Sequence, residues 1–139
     1  MKFLIDTMVL SEPARPAPDA SVLSWLKSQI PLDLAVSALT FGEIVRGVER
    51  MTDGRRKEEL KKWLESDLRA HFGDRVLPVD EEVALVWGEL TATSERRGRP
   101  LPVIDGLLLA TAKVHGLTMV TRNVHDFDGR GVPVLNPYG

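Results

Sequence analysis

Five polar residues stand where the chain could do chemistry. Asp6 closes the apolar run Phe3-Leu4-Ile5, and Glu43 is expected in the first turn of an amphipathic helix. Asp105 lies in the first turn of the most apolar helical stretch, Ile104–Val114, and Asn123 and Asp126 follow Met119-Val120-Thr121. In a parallel sheet every strand delivers its carboxyl end to one edge, where open α/β sheets bind their ligands. Carboxylates gathered there repel, by about 4 kcal/mol for unit charges about 4 Å apart at an effective dielectric of about 20. A raised pKa or a divalent cation relieves that repulsion. With no cysteine, and histidine only at 71, 115 and 125, the donors on offer are hard oxygens, which suit magnesium or manganese better than zinc. Such a centre is suited to phosphodiester hydrolysis.

Each residue taken alone also has a plainer reading. Asp6 can cap the turn that follows it, and Asp105 can complement a helix dipole. Thr40-Phe41-Gly42-Glu43 has the pattern of a capping box, and Asp126 is a common turn former. His71 and His115 sit at helix ends, and His125 is a lone loop histidine. The chain has no phosphate-cradling glycine loop, nucleophile elbow or metalloprotease helix. Acid-and-metal chemistry is the class left standing.

The elements that must position these residues alternate in type. Strands are expected at Lys2–Ile5, Leu32–Val36, Arg75–Val79, Met119–Thr121 and Val132–Leu135. Between them come helices from about Ala20, over Thr40–Glu49, from Arg55 to Ala70, from Asp80 to about Glu95, and over Ile104–Val114. A polar turn is expected around Asp126–Gly131. This order predicts an α/β fold, a three-layer α/β/α sandwich over residues 1–139 around a mostly parallel sheet of about five strands.

Composition narrows the setting. The 139 residues are 43% hydrophobic and carry a formal charge of −2, the wrong sign for a protein that coats nucleic acid nonspecifically. The basic residues are nevertheless clustered, at Arg46, Arg50, Arg55, Arg56 and Lys57 and again at Arg96, Arg97 and Arg99. Either cluster can face phosphates or simply solvate a helix end. No signal-peptide pattern and no membrane-spanning run is present, so a soluble, cytoplasmic protein is expected.

Taken together, Leu4-Ile5-Asp6-Thr7, Ser37-Ala38-Leu39-Thr40-Phe41-Gly42-Glu43, Asp105 through Ala112, and Thr121-Arg122-Asn123-Val124-His125-Asp126-Phe127 resemble the PIN-domain nucleases. The closer resemblance is to the VapC-like toxins of bacterial toxin–antitoxin pairs, including the FitB-like branch, and it covers essentially the whole chain. It implies a Mg²⁺- or Mn²⁺-dependent endoribonuclease that forms a homodimer and is restrained by a small cognate antitoxin. Asp6, Glu43 and Asp105 match the family's metal-binding acids, Asn123 occupies its fourth acidic position with Asp126 three residues on, and Thr7 and Thr121 are supporting residues. Arg46, Arg96, Arg97 and Arg99 are candidates for steering the RNA backbone. Met8 stands where many relatives have a polar residue. The alternatives are a PIN-like module that docks a partner or RNA without cutting, and an aspartyl-phosphate enzyme or receiver-like domain, the enzyme needing a second acid two positions on, where Met8 stands.

Overall fold

Short apolar runs make short strands, and the computed structural model, which describes residues 1–139, assembles five of them into one sheet. They are β1 (Phe3–Ile5), β2 (Leu34–Ser37), β3 (Val76–Leu77), β4 (Thr118–Val120) and β5 (Val134–Leu135), in the order β3-β2-β1-β4-β5. Every pair is parallel, with Leu4 opposite Ala35 on one side and Met119 on the other. β1 is therefore central, and Leu4 and Ile5 are wholly buried.

Side-chain alternation along the strands builds two cores. Leu4, Ala35 and Met119 face α6 (Glu81–Arg96), α7 (Val103–His115) and α8 (Val124–Phe127). Ile5, Leu34, Val36 and Val120 face the other layer. That layer holds α1 (Thr7–Ser11), α2 (Ala20–Ser28), α3 (Ala38–Glu49), α4 (Arg55–Lys62) and α5 (Arg69–Phe72). The result is the expected three-layer sandwich. No helix is long and apolar enough to cross a membrane.

The structure corrects several expected boundaries. Pro31–Asp33 forms a 3-10 turn that leaves Leu32 exposed, so β2 begins at Leu34. β3 stops at Leu77 because Pro78 has no N–H to continue the ladder. Val124–Phe127 forms the short helix α8, which the sequence reading does not include, and the turn expected around Asp126–Gly131 begins within it. The helix expected over Arg55–Ala70 is interrupted by a π-helical stretch, Trp63–Leu68, and continues to Phe72. Its inward residues Leu60, Leu64, Leu68 and Phe72 recur every fourth position, which in an α-helix drifts about 40° per step. A wider turn keeps them on one face, and the last three are buried.

Candidate active site

The strand order reverses at β1, whose neighbours β2 and β4 lie on opposite sides, and this opens a crevice at the carboxyl ends of β1 and β4. Asp6 follows β1 directly. Its N–H continues the ladder to the Val120 carbonyl at 2.9 Å, which holds the residue in the sheet edge with only 8% of its surface exposed. Oδ1 accepts the Thr7 N–H at 2.7 Å, capping α1, while Oδ2 accepts the Thr121 hydroxyl at 2.7 Å. Asp6 is thus both a cap and a member of the crevice. Burial raises its pKa, and the Thr121 and Thr7 hydrogen bonds oppose the rise. No cation pairs with it.

Glu43 arrives by a route other than the one its local pattern predicts. Ser37, with extended backbone, accepts the Leu39 N–H at 3.1 Å and starts α3 at Ala38, ahead of the expected cap at Thr40. Glu43 therefore lies in the second turn and no capping box forms. The Thr40 hydroxyl is buried without a partner. With Thr40, Ile44 and Val48 buried in the core, Glu43 sits beside that stripe and accepts the Thr7 hydroxyl at 2.7 Å through Oε1. Thr7 links the two acids, its N–H to Asp6 and its hydroxyl to Glu43.

Asp105 lies in the first turn of α7, as expected. A Cβ on the adjacent Gly106 would stand 3.0 Å from the Trp87 ring, so the glycine lets α7 settle against α6. The Asp105 carboxylate has no hydrogen bond or ion pair within the chain. Its pKa is raised by burial first and then by the charges of Asp6, Asp126 and Glu43, against the lowering effect of Arg130. The charges of the other three acids thus all bear on Asp105. Asn123 is exposed and anchored through its backbone N–H, which donates to the Thr121 hydroxyl at 3.0 Å. Met8 is 40% exposed, and because both Asp6 oxygens are held by Thr7 and Thr121, its apolar side chain leaves Asp6 fully supported.

The donor set suits a hard divalent cation. No three acidic or imidazole groups stand close enough to enclose an ion by themselves. Magnesium, which takes one or two carboxylates and keeps several waters, needs no such cage. A cation would also offset the repulsion that Asp6, Asp126 and Glu43 exert on Asp105, which Arg130 only partly opposes.

The arginines divide. Arg46 lies on the exposed side of α3 in a shallow groove shared with Glu43, Leu39, Val79 and Ile104. Arg96 is exposed and donates to the Thr93 hydroxyl. Arg97 and Arg99 line a separate cavity with Lys113 and Arg130. Those last two are not among the residues that the sequence singles out, although Gly129-Arg130-Gly131 is a visible turn signal.

The PIN domain family model matches residues 3–129. The chain is 38% identical over 135 residues to Toxin FitB of Neisseria gonorrhoeae, covering 97% of each protein. It is 32% identical over 135 residues to VapC ribonuclease Y4jK of Sinorhizobium fredii, covering 97% of this chain and 96% of that protein. Its fold is similar to the crystal structure of FitAcB from Neisseria gonorrhoeae, with a TM-score of 0.93, 38% identity and 97% of each chain covered.

Proposed function

The chain belongs to the PIN-domain family, and on that premise we propose that it is a Mg²⁺- or Mn²⁺-dependent endoribonuclease, the toxin of a toxin–antitoxin pair. The observation that carries this reading is the hydrogen-bonded series Thr121–Asp6–Thr7–Glu43 after β4, β1 and β2, with Asp6 buried without an ion pair and Asp105 pushed up in pKa by burial and by the charges of Asp6, Asp126 and Glu43. Similarity to a toxin and to a ribonuclease over nearly the full length supports the biological role. In this reading the protein acts on cytoplasmic RNA, forms a homodimer and is held inactive by a small antitoxin protein.

A bound divalent cation lowers the pKa of a coordinated water and offsets charge on the phosphate oxygens. Asp6 and Asp105 are assigned as its principal ligands. The Thr121 hydroxyl and Thr7 N–H each occupy one lone pair of the Asp6 oxygens and fix the carboxylate's rotation, leaving further lone pairs for a ligand. Glu43 is held at Oε1 by Thr7, so its Oε2 is free to take the proton of the attacking water or to contact the ion through water. Asn123 and Asp126 complete the shell, the first contributing an oxygen without charge.

The test is cleavage of a panel of structured and unstructured RNAs by the purified chain with Mn²⁺ or Mg²⁺, together with growth inhibition on expression. The reading requires RNA cleavage that EDTA abolishes, and toxicity that both Asp6→Asn and Asp105→Asn remove. An intact panel, or mutants as toxic as the parent, would sink it.

A further inference from the structure

One cavity has the opposite sign to the acidic crevice and is lined by Thr93, Ser94, Arg97, Arg99, Lys113 and Arg130. Glu89 is its one acid, and the chain's five ion pairs all lie elsewhere, so none of these cations is held in an ion pair within the chain. Two of the cations are locked in place. Arg130 donates to the Asp126 carbonyl at 2.8 Å, the Arg99 carbonyl at 2.8 Å and the buried Ser94 hydroxyl at 2.9 Å. Arg99 donates to the carbonyls of His125 at 2.9 Å and Asp128 at 3.1 Å. The intervening turn reverses through Gly129 and Gly131, at φ 73° and 84°, a region other residues adopt with strain. Backbone carbonyls orient these guanidinium groups without cancelling their charge. The Arg97 guanidinium, the Lys113 ammonium and Nη2 of Arg130 make no hydrogen bond within the chain and remain free for a ligand.

We propose that this cavity is a phosphate subsite, holding a backbone phosphodiester of the RNA a short distance along the strand from the bond that is cut. The inference rests on the ribonuclease reading above. Its placement favours a nucleic acid strand over an acidic protein segment. Lys113 shares α7 with Asp105, eight positions on, or about 12 Å along the axis. Arg130 is tied to the backbone of Asp126 and feels the charges of Asp126 and Asp105. A strand crossing four carboxylates meets repulsion at each phosphate, and a fixed cationic cavity alongside offsets it. Arg forks and flanking hydroxyls are the groups that hold phosphates in register.

The test measures binding without cleavage. A fluorescent mixed-sequence single-stranded RNA is titrated in EDTA against the full chain carrying Asp105→Asn, with and without Arg97→Glu plus Lys113→Glu. Both reversals fall on exposed residues outside the Arg130–Ser94–Arg99 network, and Lys27→Glu plus Lys62→Glu, exposed on α2 and α4 in the opposite helical layer, is the control for the same change of net charge. The double reversal is expected to weaken binding about tenfold or more and to reduce the salt slope by about 0.7 for each phosphate no longer neutralised. Lys113→Arg is expected to bind as the parent does. Unchanged affinity and slope would overturn the proposal, as would an equal loss with Lys27→Glu plus Lys62→Glu, or no RNA binding by the Asp105→Asn chain at all. Loss of poly-glutamate binding with RNA binding intact would also overturn it, assigning the cavity to a protein partner. RNA binding through the cavity by the Asp105→Asn chain, with no cutting in Mn²⁺ by the chain that keeps Asp105, would leave the subsite standing and remove the ribonuclease reading, so the two failures are distinguishable.

Discussion

Two carboxylates on either side of α1 are almost equally hidden from solvent, Asp6 at 8% and Glu12 at 3% exposure, yet the protein treats them in opposite ways. Glu12 accepts the Asp19 N–H at 2.9 Å and the Tyr138 hydroxyl at 2.9 Å, and Arg15 lies 3.5 Å away. The Asp19 hydrogen bond leads in pulling its pKa down, helped by Tyr138 and Arg15. Asp6 has two donors but no cation, and its pKa is raised by burial. Glu12 is an acid completed by its own chain, tying the C-terminal segment and the α1–α2 connection together. Asp6 is left short of positive charge. A buried acid whose neutralisation is incomplete marks a place where a ligand supplies the remainder.

The sharpest way to break this comparison is to remove each charge and read activity. Asp6→Asn is expected to lower RNA cleavage by more than about a hundredfold, because on the proposed assignment it removes a direct metal ligand, where loss of an indirect one already costs about 10–100-fold. Glu12→Gln, assayed at a temperature where it stays folded, is expected to cut at the parental rate. Cleavage lost equally in both would erase the distinction. Mg²⁺ is expected to raise the melting temperature of the parent and not that of Asp6→Asn.

Stability should respond in the reverse sense. Glu12→Ala leaves the Tyr138 hydroxyl and Asp19 N–H without their acceptor and is expected to cost about 2 kcal/mol in urea unfolding. A loss within error of zero would show that Glu12 is not the fastener its contacts imply.

Thr121→Val probes the support of Asp6 rather than its charge. It removes the donor to Asp6 and the acceptor of the Asn123 N–H. Cleavage is expected to fall about tenfold, with the Mn²⁺ concentration for half-maximal rate raised and Asp6 titrating higher than in the parent. A parental metal requirement would assign Thr121 to packing alone.

The smallest effect is one of sign. The folded pKa of Asp105 is raised above the usual 3.8, so stability is highest below that value and is lost as pH rises through the folded pKa. Asp105→Asn is then expected to melt a few degrees above the parent at neutral pH, the gap closing in acid. For Glu12 the folded pKa is lowered, so its stabilisation is present above the usual 4.5 and lost as pH falls through the folded pKa. Glu12→Gln should therefore melt below the parent at neutral pH and converge with it in acid. Shifts of the same sign in both variants would contradict the contrast.

Parts of this contrast are legible in the sequence. An aspartate ending a buried run and another opening an apolar helix both interrupt a periodicity that side-chain burial imposes, so Asp6 and Asp105 stand out. Glu43 is harder, because Thr40-x-x-Glu43 satisfies a local capping rule and only the competing cap at Ser37 shows that α3 begins earlier. Glu12 looks like any acid beside a proline. Its burial depends on Tyr138, 126 residues away.

From the sequence alone came the alternation of strands and helices, the oxygen-only donor set, and the resemblance to the PIN-domain family that the family match bears out. Those features are local or ordinal, and periodicity and residue type encode them directly. The tertiary structure alone decided which acids share a field, which are neutralised within the chain, and that Arg97, Arg99, Lys113 and Arg130 line one cavity. Charge interactions depend on distance through the fold and on what water has been excluded between the groups, and neither quantity is written in the spacing of residues along a chain.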